Sequence, residues 1–324
     1  MARPLLRLAS PGGRRGRLSV LVLHRVLPGP DPLYPEAIDA ARFTEICHWV
    51  GSMFTVLPLD AALQRMRNGT LPERALAITF DDGYADNRHV AMPILRGLGL
   101  PATVFVATGF LDGGCMWNDI VIESFRRSNC RVADLRDIWP QAHAAPFELS
   151  TVSQRRAALE AVIAAVKYLD VDHRLQVVRR IAERLEVSVP TNLMMTSGEV
   201  VDLRRAGLQV GAHTVSHPIL ANLEAEEMRR EMKDSKDFLE HLLGERVGLF
   251  AYPNGKPGED FDERAVALAR ELGFDAAMTT ARGAASPRTD PYQVPRFTPW
   301  DRTQWRFGMR MLGNLWASDG RAVA

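Results

Sequence analysis

The chain has 324 residues, with 40 Lys and Arg against 39 Asp and Glu, a formal charge of +1 and 46% hydrophobic residues. That length buries a substantial core and fits one large α/β domain carrying an insertion, which is favoured here, or two smaller domains. Balanced charge excludes a global basic field for nucleic acid. The odd, widely spaced trio Cys47, Cys115 and Cys130 has no CxxC pair, which excludes a disulfide framework and a thiolate zinc site.

Residues 1–17 are basic, with Arg3, Arg7, Arg14, Arg15 and Arg17, but the apolar segment between them is too short and interrupted for a signal peptide. No later segment reaches the length of a membrane span. The expectation is a reduced, cytoplasmic protein. Residues 18–23 form a compact apolar strand that delivers His24, then Arg25, to its carboxyl end; Pro and Gly break the chain through 27–35. Residues 41–53 have helical periodicity, with Phe43, Ile46, Cys47 and Val50 on one face. A short strand at 54–58 and a helix from Asp60 follow.

The stretch 75–84, Ala-Leu-Ala-Ile-Thr-Phe-Asp-Asp-Gly-Tyr, is a strand apolar on both faces that ends in two adjacent carboxylates and a glycine. Neighbouring side chains on a strand point to opposite faces, so Asp81 and Asp82 converge only if the chain leaves the sheet here, which Gly83 permits. Two carboxylates so close repel; a bound cation would hold one ionised while the other stays free to take a proton. The bland alternative is a surface Asp-Asp-Gly turn.

Residues 90–98 read as a helix ending at Gly99, and 102–106 as another buried strand. From about 117 to 192 the alternation stops. Residues 150–185, dense in Ala, Leu, Arg and Glu, read as the body of a helical insertion. Alternation resumes with a helix at 198–206, a strand at 208–212 presenting His213, a helix at 224–243 and a strand at 248–251. A helix at 262–272, a strand at 275–279 and a further strand candidate at 292–297 complete it.

Repeated strand-helix units imply parallel strands with right-handed crossovers, here in a closed or nearly closed barrel spanning 18–300, a distorted TIM-like (β/α) barrel. A basic segment precedes it at 1–17 and an amphipathic tail follows at 301–324. Function in such a barrel gathers at the carboxyl ends of the strands, where His24, Asp81, Asp82, His213 and the segment Tyr252-Pro253-Asn254 all fall.

In His213-Thr-Val-Ser-His217, Pro218 disfavours helical geometry before it, so His213 ends its strand and His217 closes a turn. With Asp82 the two imidazoles make the ligand set of a zinc-like site with open positions for water and substrate. Such ligands also describe a non-haem iron oxygenase, whose all-β scaffold this alternation disfavours. Asp81 is then the base for a water. The leaving nitrogen needs an acid, and with no histidine after His241 the candidate at a strand end is His24. In Phe250-Ala-Tyr-Pro-Asn-Gly255, Pro253 fixes a turn that would set Tyr252 and Asn254 beside the substrate; an ordinary strand-to-helix loop is the alternative.

Thr79-Phe-Asp-Asp-Gly83, His213-Thr-Val-Ser-His217 and Phe250-Ala-Tyr-Pro-Asn-Gly255, in that order, resemble the NodB-type polysaccharide deacetylases of carbohydrate esterase family 4. The resemblance implies metal-assisted removal of an N-acetyl, or another N-acyl, group from an amino sugar. It makes Asp81 the general base, and Asp82, His213 and His217 the ligands of zinc or of Co, Ni or Mn. It also gives the Tyr84 N–H to the oxyanion. Two departures stand out. The family's Arg-x-Pro-Tyr arginine is missing, leaving Arg25 or Arg296 to orient the base. The late histidine is missing too, and Leu23-His24 matches a branch that draws its acid from the amino end.

The implied partner is an N-acetylated glycan or a lipid- or nucleotide-linked precursor, met in the cytoplasm or at the inner membrane face. A non-catalytic carbohydrate-binding protein on the same barrel is the alternative. In the tail, Trp305, Met309, Leu312 and Trp316 share a helical face with Arg302, Arg306 and Arg310 off it, which suits either a membrane-surface helix or packing over the barrel base.

Overall fold

The computed structural model describes residues 2–138, 145–317 and 323. In chain order it forms α1 (Ala2–Ala9), β1 (Leu18–Leu23), α2 (Ala40–Met53), β2 (Thr55–Val56), α3 (Leu59–Arg67), β3 (Ala75–Phe80), α4 (Met92–Leu98) and β4 (Thr103–Val106). There follow α5 (Trp117–Arg127), the short strands β5 (Val132–Ala133) and β6 (Phe147–Glu148), α6 (Val152–Val166) and α7 (Val171–Arg184). The last run is α8 (Ser197–Arg205), β7 (Gln209–Ala212), α9 (Ala225–Leu243), β8 (Leu249–Ala251), α10 (Glu263–Glu271), β9 (Ala276–Met278) and α11 (Gln304–Trp316).

Two compact units result. One comprises Met1–Gly29, Ile38–Leu111 and Met195–Ala324; the other comprises Pro30–Ala37 and Asp112–Met194. The second is built on α5, α6 and α7, which bury Val121, Phe125, Leu159, Val162, Val178 and Ile181 together. Thr151 and Gln154 cap α6 reciprocally, satisfying N–H groups that the first turn leaves without helical partners. The Arg155 guanidinium donates to the carbonyls of Phe125, Ser128 and Cys130, tying α6 to the end of α5.

The first unit is a curled parallel sheet in the order β1-β3-β4-β7-β8-β9, with β2 added to β3. It forms a distorted half-barrel. Alternation along each strand decides which side chains face where. Leu18, Val20, Ala75, Ala77, Phe105, Leu249, Ala251, Ala276 and Met278 share the inner cluster, which α3 covers with Leu59, Leu63 and Met66. Their neighbours Leu21, Leu23, Leu76, Ile78, Phe80, Val104 and Phe250 point outward into the larger core under the helices. The inner wall is tight beside the Phe105 ring, since at Gly211 a Cβ would lie 2.5 Å from it.

The gap between β9 and β1 is bridged by one short segment. Val294 pairs with Met278 and Phe297 with Leu21, through Thr279 N–H to Val294 carbonyl (2.9 Å) and Val22 N–H to Phe297 carbonyl (3.0 Å). The strand expected at 292–297 is therefore a seam touching both edges at single points, and Arg296 lies within it.

At the amino-terminal end of the sheet, Ser10, just after α1, accepts from the N–H of Arg74, the residue before β3 (3.0 Å). Helix α1 packs against α11. Of the tail, residues 318–322 and 324 lie outside the described residues.

Candidate active site

The site grows from the end of β3. Asp81 continues the inward parity of Ala75, Ala77 and Thr79, so it points into the half-barrel. Asp82 would point outward, but its φ of 77° and the φ of 87° at Gly83 turn the chain out of the sheet. Left-handed backbone is costly for aspartate and free for glycine. The Asp82 carbonyl accepts the Ala107 N–H (3.2 Å), which anchors the turn to the end of β4.

His213 leaves β7 with the inward parity of Gln209 and Gly211. The loop after it is built around one carboxylate: Glu231 of α9 accepts from the N–H groups of Val215 (2.9 Å) and Ser216 (2.8 Å) and from the Ser216 hydroxyl (2.6 Å). The Thr214 hydroxyl accepts the His217 N–H (3.1 Å), and Thr214 and His217 both take positive φ. This folds the second imidazole back onto the first, with ring centroids 4.9 Å apart.

Asp82, His213 and His217 thereby converge. Nε2 of each imidazole lies 3.4 Å from the same oxygen, Asp82 Oδ1. That distance is too long for a good hydrogen bond, and the buried Oδ1 has no hydrogen-bond partner among the described residues. His213 Nδ1 sits 2.7 Å from the Ala251 carbonyl. A carbonyl only accepts, so Nδ1 carries a proton, which leaves Nε2 as the atom that can ligate. A tetrahedral ion with bonds of about 2.1 Å has ligand-to-ligand edges of about 3.4 Å; the two distances to Asp82 Oδ1 match that, and all three ligand atoms lie within 4.8 Å of one another, so the donor set suits a zinc-type ion.

Charge acts on the three groups in different directions. Burial raises the Asp82 carboxyl, but His213, His24 and His217 outweigh it and hold the group below its usual range. Burial alone would lower His213; the carboxylates of Asp82 and Asp81 reverse that and raise it. Burial pushes His217 down to about 4, which keeps its ring neutral, the form that ligates.

Asp81 is held separately. Arg296, reaching in from the seam, donates to Asp81 Oδ1 at 2.6 Å and Oδ2 at 2.7 Å. Its Nε donates to the Thr279 carbonyl (2.9 Å), so the fork is aimed before it meets the carboxylate. Burial raises Asp81, and the charges of Arg296 and His213 bring it below the ordinary carboxylate value. A carboxylate has about four lone-pair sites and the fork uses two, so each oxygen retains one.

Of the two arginines considered for orienting the base, Arg25 has other partners. It pairs with Asp86 (2.8 Å) and lies 4.8 Å over the Tyr84 ring. Asp86 Oδ1 also accepts the Val26 N–H (3.0 Å), and Asn87 Nδ2 donates to the His24 carbonyl (2.8 Å). His24 is exposed, and its charge acts on Asp81, Asp82 and His217. Tyr84 follows the Asp82-Gly83 turn with its side chain buried.

The third motif needs a correction. The Tyr252 side chain is fully buried, stacked on Phe261 at 3.9 Å and 4°, and its hydroxyl donates to the Tyr292 carbonyl (3.0 Å). It belongs to the core and cannot meet a substrate, because the outward parity of Phe250 and Tyr252 sends it under the helices. Pro253 is buried as well, while Asn254 is exposed with φ 56° and its carbonyl accepts the Thr280 hydroxyl (2.8 Å). Sequence reasoning missed Glu231, Asp86 and Asn87. Their only signal was position: helices that open beside the two motif loops.

A family profile described as polysaccharide deacetylase matches residues 68–134 and 171–277, more than half of the chain. The chain belongs to the polysaccharide deacetylase family. The matched stretches hold Asp81, Asp82, His213 and His217, and the membership supports N-deacetylation of a polysaccharide by hydrolysis of an amide bond. Bacillus subtilis (strain 168) YxkH, whose name carries the words polysaccharide deacetylase, is 20% identical over 282 residues, covering 86% of this chain and 70% of that protein. Two solved structures share the deacetylase fold. The Streptococcus pyogenes deacetylase PplD in complex with acetate has a TM-score of 0.60 at 18% identity, covering 93% of this chain and 99% of that one. IcaB from Ammonifex degensii has a TM-score of 0.59 at 18% identity, over 95% and 99%.

Proposed function

We propose that this polysaccharide deacetylase is metal-dependent and removes the N-acetyl group of an amino sugar in a glycan or a lipid- or nucleotide-linked glycan precursor. The observation that carries the reading is the shared oxygen of Asp82, with two imidazole nitrogens 3.4 Å away. Asp82, His213 and His217 would hold the ion, and Zn, Co, Ni or Mn suits two nitrogens and one carboxylate. When bound, such an ion supplies a Lewis acid for the amide carbonyl and lowers the pKa of water.

The remaining work falls to the chain's own groups. Asp81, kept ionised by Arg296, takes the proton from the attacking water as the new C–O bond forms. The Tyr84 N–H would donate to the oxygen that gains charge. His24 gives a proton to the sugar nitrogen as the C–N bond breaks, releasing acetate and a free amine.

The test is acetate release from N-acetylglucosamine oligomers and from lipid- and nucleotide-linked N-acetyl sugars, with and without added divalent metal. Release that a chelator abolishes and metal restores is expected for one substrate class. Tight binding of every sugar without release would instead support the carbohydrate-binding alternative.

A further inference from the structure

Six of the ten most exposed large apolar side chains among the described residues fall on α1, α11 and the residue four before α11: Leu5, Leu8, Trp300, Trp305, Met309 and Trp316. Leu8 is 78% exposed, Trp300 63%, Trp305 60% and Trp316 65%. These helices lie side by side. Arg3 at the start of α1 donates to the Ser52 carbonyl, Gln304 at the start of α11 donates to the Ser52 hydroxyl, and Leu6 joins Phe307, Met311 and Leu315 in one core.

On both helices the apolar arc is wider than the buried contact. At about 100° per residue, the arc on α1 runs from buried Leu6 through Ala9 and Leu5 to exposed Leu8. On α11 it runs from buried Phe307 through Met311, Leu315 and Leu312 to exposed Trp305, Trp316 and Met309. Packing against the barrel accounts for half of each stripe and leaves the other half in water.

Charge identifies what could cover that margin. Residues 1–17 and 302–317 contain eight arginines and no Asp or Glu, in a chain of formal charge +1. Arg7 is matched by Glu73 and Arg310 by Asp301, and Arg310 also lies 5.4 Å over the Trp300 ring. A second copy of the chain would set arginines against arginines across a two-fold axis. Tryptophan and leucine beside arginine suit the boundary between acyl chains and anionic headgroups.

The geometry points to the paired face of α1 and α11 as a docking surface for an anionic lipid bilayer. The apolar margin enters the interface and the arginines meet headgroup phosphates. The proposal is independent of which sugar the site accepts.

The full chain is tested by co-sedimentation with phosphatidylcholine vesicles and with vesicles in which about one lipid in three is phosphatidylglycerol. Binding is expected only to the anionic vesicles, with a blue shift of tryptophan emission, and high salt should weaken it. Trp305→Ser with Trp316→Ser should reduce partitioning at least about tenfold, as should Arg302→Glu with Arg306→Glu, with melting temperature unchanged because all four side chains are largely exposed. Three results overturn the proposal: no vesicle binding, equal binding by the wild type and both variants, or a concentration-dependent dimer that the same substitutions abolish.

Discussion

Arg296 and Asp81, 215 residues apart in the chain, are joined by two parallel hydrogen bonds in a buried pair whose side chains are 0% and 3% exposed. Removing the guanidinium leaves a buried carboxylate with nothing to offset its lost hydration. Arg296→Gln should lower stability by about 3 kcal/mol or more, and turnover should fall at least about 100-fold as Asp81 loses its aim and its charge. Arg296→Lys restores the charge without the fork, and should recover stability better than turnover. Melting curves and acetate release on the three proteins check this; unchanged turnover in Arg296→Gln rejects the orienting role.

The base and the ion should separate by mutation. Asp81→Asn is expected to bind metal at the wild-type stoichiometry while losing turnover at least about 100-fold. His213→Ala and Asp82→Ala should lose the metal itself, read by elemental analysis after dialysis. Equal metal content in all three would show that the shared oxygen of Asp82 is not a ligand.

His24 carries a third prediction. His24→Ala should reduce turnover by about 100-fold or more with metal content unaltered, and the loss should be smaller for substrates whose leaving amine is less basic. Turnover near that of the wild type would reject the acid role.

Tyr252 and Cys47 test burial in place of chemistry. Tyr252→Phe leaves the Tyr292 carbonyl without that donor and should cost about 1 kcal/mol, with KM unchanged, because the ring faces the core. A raised KM would put this residue back beside the substrate. Burial pushes the Cys47 thiol up to about 12, so at pH 8 it stays protonated and slow to react. Thiol titration should find Cys115 and Cys130 reactive in the native protein and Cys47 only after unfolding.

Much of this arrangement could be read from the residues. The strand ending at Phe80 was legible because an unbroken apolar run suits a strand covered on both faces, and the carboxylates at its end announced themselves. The two imidazoles were legible from Pro218, which disfavours the helical reading of their spacing. Arg296 was harder: it sits in a seam with single bridges to β9 and β1, so no alternating pattern marks it, and only the barrel's closure brings it to Asp81. Tyr252 was misplaced for the opposite reason. The motif drew attention to its position at a strand end, while the parity of the strand sends the ring outward.

Finally, consider where α1 meets the sheet. Ser10 touches the chain just before Ala75, whereas Asp81 follows Phe80, so the six residues of β3, about 20 Å at some 3.3 Å each, stand between them. A protein resting on lipid by the Ser10 end of α1 would hold Asp81 about one strand length from the surface. A sugar carried on lipid would then meet the site only at the end of a glycan or carrier long enough to bridge that height.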